Sequence, residues 1–198
     1  SSSSRRSCTS WLGCRSSSDS SGRSGGRRRV YDGRVFTLDP TIHPDVAPLA
    51  WLVGRWEGAG VLGYPSIESA NFGQEIVVSH DSRPFLRWES QSWILDDEGN
   101  KVRPSGTELG FWRAGGEGEA ELLLVHPTGI VEMYYGTVEP GRIELQTDGV
   151  IRSPHAKEYS AAKRMYGLVK SNLMWVMDMA AMGQPMTSHL SAELKRVE

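Results

Sequence analysis

Cysteine is almost missing from this chain of 198 residues: there are two, Cys8 and Cys14, both near the N-terminus. Everything beyond them is therefore without a disulfide, a thiolate metal site or a cysteine nucleophile. No run of apolar residues approaches the length of a membrane span. No apolar segment follows the N-terminal arginines in the way a secretory signal requires, so a cytoplasmic location with no membrane partner is expected. Acidic residues are nearly absent from positions 1–29, where Asp19 stands alone against seven arginines. Helical periodicity is lacking as well: no stretch of ten or more residues repeats apolar positions at a helical spacing.

The first 29 residues are almost all Ser, Gly and Arg, with Trp11 and Leu12 the only large apolar side chains. Such a segment buries too little apolar surface to offset its ordering entropy, so disorder is expected over 1–29. Its composition fits a solvated tail, a targeting remnant or a sequence foreign to the domain. The tail carries a net charge of +6, and subtracting it from the whole-chain balance leaves −8 for residues 30–198. Arginine clusters bind phosphate, but an acidic domain repels it, so no nucleic-acid partner is expected. Residues 30–44 read as a loosely attached lead-in.

From residue 45 to the C-terminus the composition changes. Asp45 to Leu52 reads as one short helical turn that plugs an end of the fold, its length limited by Pro48. Ten short segments rich in Val, Ile, Tyr, Trp and Phe follow, at 55–61, 72–79, 85–95, 107–113, 119–126, 130–138, 142–148, 157–167, 173–182 and 189–197. Turn signals separate them closely, as in DDEGN at 96–100, HPTG at 126–129 and EPGR at 139–142. With no helix available to cover a sheet face, closure removes the exposed edges. The expected fold is all-β: a ten-stranded antiparallel up-and-down β-barrel of the lipocalin or fatty-acid-binding-protein kind, with a short helical plug and an internal pocket. Segment 173–182 carries Leu173, Trp175, Met177, Met179 and Ala181 on one face, and Met174, Val176 and Met182 on the other. Apolar residues on both faces favour a lined cavity over the competing reading, a packed core with a patch for a homodimer.

Gly54, Trp56, Gly58 and Gly60 form the pattern G-x-W-x-G-x-G. Alone it describes a first strand with a buried tryptophan and glycines that permit close packing; without a following helix it is no dinucleotide fingerprint. Its company makes it specific: Tyr64-Pro65-Ser66-Ile67, Glu75-Ile76, Ser79-His80, Arg83-Pro84-Phe85, Glu108-Leu109-Gly110-Phe111-Trp112-Arg113, His126-Pro127-Thr128-Gly129, Lys157-Glu158, Gly183-Gln184-Pro185 and His189-Leu190. In this order they resemble the nitrobindin family over residues 45–198.

That resemblance implies one haem b per chain, with iron held by His189. On chemistry alone a lone histidine among Ser, Thr, Glu and Lys reads as a solvated surface residue, so this role comes from the resemblance. Pro185 is expected to break the ninth strand and let His189 open the tenth. Ser66 and Lys157 match positions that contact haem propionates, His126 stands where some relatives carry a pocket glutamine, and His80 matches a strand histidine. Gly106 replaces a histidine that overhangs the haem in several relatives, implying an open sixth position under a wall of Met, Leu, Val and aromatic side chains. The implied function is a ferric haem protein that binds nitric oxide and isomerises peroxynitrite to nitrate. In that chemistry a Lewis-acidic iron weakens the O–O bond and a dry wall cages the fragments until they recombine. An intracellular carrier of fatty acids or other small lipophilic ligands is the alternative, with Arg87 or Arg113 as the internal carboxylate anchor.

Every motif named above lies beyond Val30. Removing residues 1–29 is therefore expected to leave the thermal unfolding midpoint and ligand titrations unchanged, whereas loss of soluble protein would show that the tail packs on the domain.

Overall fold

The computed structural model describes residues 28–31, 34–37, 39–116 and 118–197. The tail expected over 1–29 falls outside the described residues except at its end, since Arg28 and Arg29 open a hairpin of β1 (Arg28–Tyr31) and β2 (Arg34–Thr37). This hairpin pairs with no barrel strand. The lead-in is tied down further along, where Ile42 packs on the core and Asp39 lies 3.4 Å from His80.

Ten antiparallel strands then close into a barrel: β3 (Gly54–Tyr64), β4 (Ile67–Ser79), β5 (Leu86–Leu95), β6 (Lys101–Gly116), β7 (Glu119–His126), β8 (Ile130–Glu139), β9 (Arg142–Arg152), β10 (Tyr159–Val169), β11 (Asn172–Ala181) and β12 (Thr187–Val197). Each strand pairs with the next, and β12 pairs with β3 to complete the ring. The expected meander and its closure are both present.

Strand alternation explains the interior. In β7 Ala120, Leu122 and Leu124 are buried between half-buried or exposed neighbours; in β10 Ala162, Arg164 and Tyr166 take the inward positions. The plug is a 3-10 helix over Pro44–Leu52, longer than the single turn expected, and Pro48 lies inside it without ending it. Its Leu52 carbonyl accepts a 2.8 Å hydrogen bond from Trp56 Nε1, which joins plug to barrel. Above it Trp88, Trp112, Tyr166 and Trp175 fill the section, with ring centroids 5.3–5.9 Å apart. The opposite end is open and carries the cavity described below.

Three local expectations need correction. The strand expected at 107–113 begins at Lys101, because a register shift between Gln91 and Trp93 lets Pro104 sit in the ladder opposite Trp93. The ninth strand is ended not by Pro185 but at Ala181, where Met182 and Gly183 take positive φ values of 52° and 73°. Lastly, only one face of β11 meets the cavity: Met177 and Met179 line it, whereas Met174 and Val176 are exposed on the outside.

The motif glycines act by close approach. A Cβ on Gly58 would lie 2.1 Å from the Glu193 carbonyl oxygen, and one on Gly60 would lie 2.1 Å from that of Ser191, both on β12. The closing ladder can form only if these positions lack side chains. Gly58→Ala should therefore lower stability by about 1–3 kcal/mol in denaturant titrations. Gly149→Ala is the control, since a Cβ there meets nothing within 4 Å; its midpoint should stay within about 0.5 kcal/mol of the unmutated protein.

Candidate functional site

The cavity at the open end has a volume of about 230 Å³. β11 and β12 contribute Met177, Met179, His189 and Leu190 to its wall; β6, β7, β8 and β10 contribute Gly106, Glu108, His126, Glu132, Tyr159 and Arg164. In a ring of ten strands, β12 and β7 are five apart in either direction, so His189 and His126 stand on opposite sides of the barrel.

His189 lies just before the closing ladder, whose first pair is Leu190 with Leu62. Its Nδ1 is 3.0 Å from the Gly63 carbonyl oxygen, and its ring meets Tyr64 edge-on at 5.6 Å. Since a carbonyl oxygen only accepts, Nδ1 carries the proton, and Nε2 keeps its lone pair for the cavity. Burial pushes the imidazole pKa below its ordinary value, against the opposing pull of the Gly63 hydrogen bond, and the charge on Arg164 adds to the lowering. A neutral ring with its second nitrogen fixed by a backbone carbonyl is the arrangement a metal-ligating histidine requires. Among the described residues no three His, Cys, Asp or Glu side chains are grouped to hold a bare metal ion. A single axial nitrogen instead suits an iron whose other ligands come from a macrocycle, so the residues present fit a haem.

The floor is ionic. Arg164, 2% exposed, forms a two-pronged pair with Glu108 at 2.6 and 3.1 Å and lies 3.6 Å from Glu132. Its Nε donates to Tyr134 Oη at 3.0 Å and a terminal nitrogen donates to Tyr166 Oη at 3.3 Å. Glu132 accepts from His126 Nε2 at 2.6 Å, from Tyr134 at 2.5 Å and from Tyr159. Burial drives the Glu132 carboxyl pKa upward, but hydrogen bonds from His126 and the two phenols, together with the Arg164 charge, outweigh it and hold the group at about 2. Glu108 is likewise lowered, burial being outweighed by Arg164. Burial raises the Tyr166 phenol to about 12, so it stays protonated.

The expected site residues divide into three groups. His189, His126 and Gly106 are brought together at the cavity. A Cβ on Gly106 would meet only Ser92 Oγ, at 3.1 Å, so the wall there is thin. Ser66 and Lys157 are exposed in the turns after β3 and before β10, at the open end, and do not line the cavity. His80 sits beyond β4 at the plugged end, against Asp39, and is not part of the site. The expected apolar wall is half correct, because the side facing His189 is ionic. Arg164, Glu132 and Tyr159 were not singled out in the sequence, and Glu108 appeared there only as part of a family segment, with no site role. The available signal was the alternation Ala162, Arg164, Tyr166, which places an arginine on an inward face. Arg87 and Arg113 point outward and pair with Asp81 and Glu121.

Comparison with known proteins agrees with this geometry. The model of the "THAP4-like, heme-binding beta-barrel domain" family matches residues 45–196. The chain is 50% identical over 161 residues to a peroxynitrite isomerase of a Nocardioides species, covering 81% of this chain and 98% of that one. It is 45% identical over 165 residues to a ferric nitrobindin-like protein of Streptomyces griseus, covering 82% and 87% respectively. Among solved structures it resembles Rv2717c from M. tuberculosis with a TM-score of 0.72 and 35% identity, covering 79% of this chain and 99% of that one.

Because the folded-state pKa of Glu132 lies below its ordinary 4.5, the stability it contributes is present above that value. It should be lost as pH falls from about 4.5 through about 2. Acid titration of the unfolding free energy should show this drop, and Glu132→Gln should shrink it. Arg164→Met, which leaves two buried carboxylates without their cation, should cost about 3–5 kcal/mol at neutral pH.

Proposed function

The chain belongs to the THAP4-like, heme-binding beta-barrel domain family, and on that basis we propose that it binds one haem b through His189 and, in the ferric form, binds nitric oxide and isomerises peroxynitrite to nitrate. The observation that carries this reading is the His189 ring, held through Nδ1 by the Gly63 carbonyl so that a neutral Nε2 is left for the cavity. Relatives named peroxynitrite isomerase support the reaction class. When bound, the haem supplies a ferric Lewis acid with a position open to a nitrogen-oxide ligand.

The chain's own residues do the rest. Met177, Met179 and Leu190 present an apolar surface beside His189 that excludes water. His126, anchored by Glu132, provides a hydrogen-bonding ring on the far side. The turns bearing Ser66 and Lys157 border the open end, and these two exposed residues would pair with the haem carboxylates if those lay at that end. Among the described residues the carrier alternative finds no free anchor: Arg87 and Arg113 lie outside, and the buried Arg164 guanidinium is already engaged by Glu108.

Haem titration tests the assignment. The unmutated protein should develop a Soret band, and His189→Ala should abolish or greatly weaken it while the β-sheet circular dichroism persists. An unchanged band in the variant would transfer ligation to His126, and no band in the unmutated protein would return the carrier reading to first place.

A further inference from the structure

Tyr159 lies in the cavity wall and Tyr134 directly behind it, and the reaction just proposed uses neither phenol. Both hydroxyls donate to the same oxygen, Glu132 Oε1, and they lie 3.4 Å from each other. A carboxylate already in hydrogen-bond contact is a proton acceptor in place. A phenol so paired loses an electron and its proton together, and no tyrosine cation has to form in a buried setting. Peroxynitrite chemistry supplies the matching oxidant, because cleavage of its O–O bond yields nitrogen dioxide radical whenever the fragments fail to recombine.

We propose that Tyr159 is a one-electron reductant in the cavity wall, giving its electron to escaping nitrogen dioxide radical and its phenolic proton to Glu132. The step balances: the Tyr159 O–H bond breaks, the proton moves to Glu132 Oε1, nitrogen dioxide radical is reduced to nitrite, and a neutral tyrosyl radical remains. Transfer of a hydrogen atom from Tyr134 across the 3.4 Å contact restores Tyr159 and moves the radical one residue deeper, away from the cavity mouth. Tyr159 thereby gives the barrel a second function, interception of the radical that its isomerase chemistry fails to cage. This rests on the nitrogen-oxide reading of the cavity.

The surface supplies an internal control. Tyr135 is 44% exposed and donates to Glu119 at 2.6 Å, so it too has a carboxylate partner but lies outside the cavity. The test uses the full, haem-loaded chain and nitrogen dioxide radical generated by pulse radiolysis of nitrite, with no peroxynitrite present. Tyrosyl radical is followed by absorbance and by electron paramagnetic resonance of frozen samples, and nitrated or cross-linked tyrosines are mapped by peptide mass spectrometry. Products should concentrate at Tyr159 and Tyr134 rather than at Tyr135. Tyr159→Phe, which removes one hydroxyl, should slow decay of the radical severalfold and move nitration to Tyr135. Glu132→Gln should slow it comparably with Tyr159 still present. Modification that follows exposure, with Tyr135 dominant in the unmutated protein, or an unchanged decay in Tyr159→Phe, would overturn the inference. A protein that fails to isomerise peroxynitrite but oxidises at Tyr159 would sink the proposed reaction and leave the interception standing.

Discussion

The Arg164 guanidinium, shut inside a barrel, is the constraint around which the interior is arranged. A cation in that position is tolerable only if it is paired and its donors are used. Glu108 on β6 takes two of them, Tyr134 on β8 and Tyr166 two residues along β10 take others, and Glu132 on β8 lies within ion-pair distance. Three strands are thereby tied across the lumen by groups that cannot slip one residue without exposing an unpaired charge. Below this layer the barrel is filled by Trp88, Trp112, Tyr166 and Trp175; above it the lumen is open. The network is thus the floor of the cavity as well as the upper limit of the packed core.

Closure and the proposed iron ligation share one ladder. The β3–β12 seam needs Gly58 and Gly60 bare so that the β12 backbone can approach. The same register, ending at Leu62 opposite Leu190, carries Gly63 and His189 just past the last pair, where carbonyl and imidazole meet. The orientation of the imidazole is a by-product of how the barrel shuts. This accounts for a motif at the start of the domain and a histidine near its end belonging to one functional unit.

Legibility in the sequence followed locality. Turn dipeptides, strand-forming residues and the motif glycines are local signals, and they located ten strands, whereas the closing seam between first and last strand appears only in the structure. β6 starts earlier than its local signals indicate because Pro104 takes a ladder position opposite Trp93, next to a register shift that involves a distant strand. The break after β11 hid in Met182, whose positive φ has no marker of its own beside the more conspicuous Pro185. Arg164 sits on an inward face, but its partners Glu108 and Glu132 lie 56 and 32 positions away, and no single-chain pattern joins them. His189 came only through the family resemblance, since its defining contact with Gly63 spans 126 positions.

The two walls of the cavity differ in kind, and the difference bears on Gly106. Beside His189 stand thioethers and Leu190, groups with no hydrogen to donate. Half the ring away stands His126 on β7, flanked by Glu108 on β6 and Glu132 on β8, while Arg164 and Tyr159 reach these carboxylates from β10, two strands from β12. A flat ligand between them would meet a nitrogen donor and an apolar surface on one face and a hydrogen-bonding surface on the other. Glycine at 106 removes one side chain from that second face without making it apolar, because His126 is fixed there through Glu132 at 2.6 Å. On the proposed haem reading, the polar function of a histidine at 106 would be carried from the neighbouring strand. It rests on a buried carboxylate rather than on a residue at the thin edge of the wall. Anchored in this way, His126 cannot move independently of Glu132, so its placement is tied to the same ion network that forms the floor.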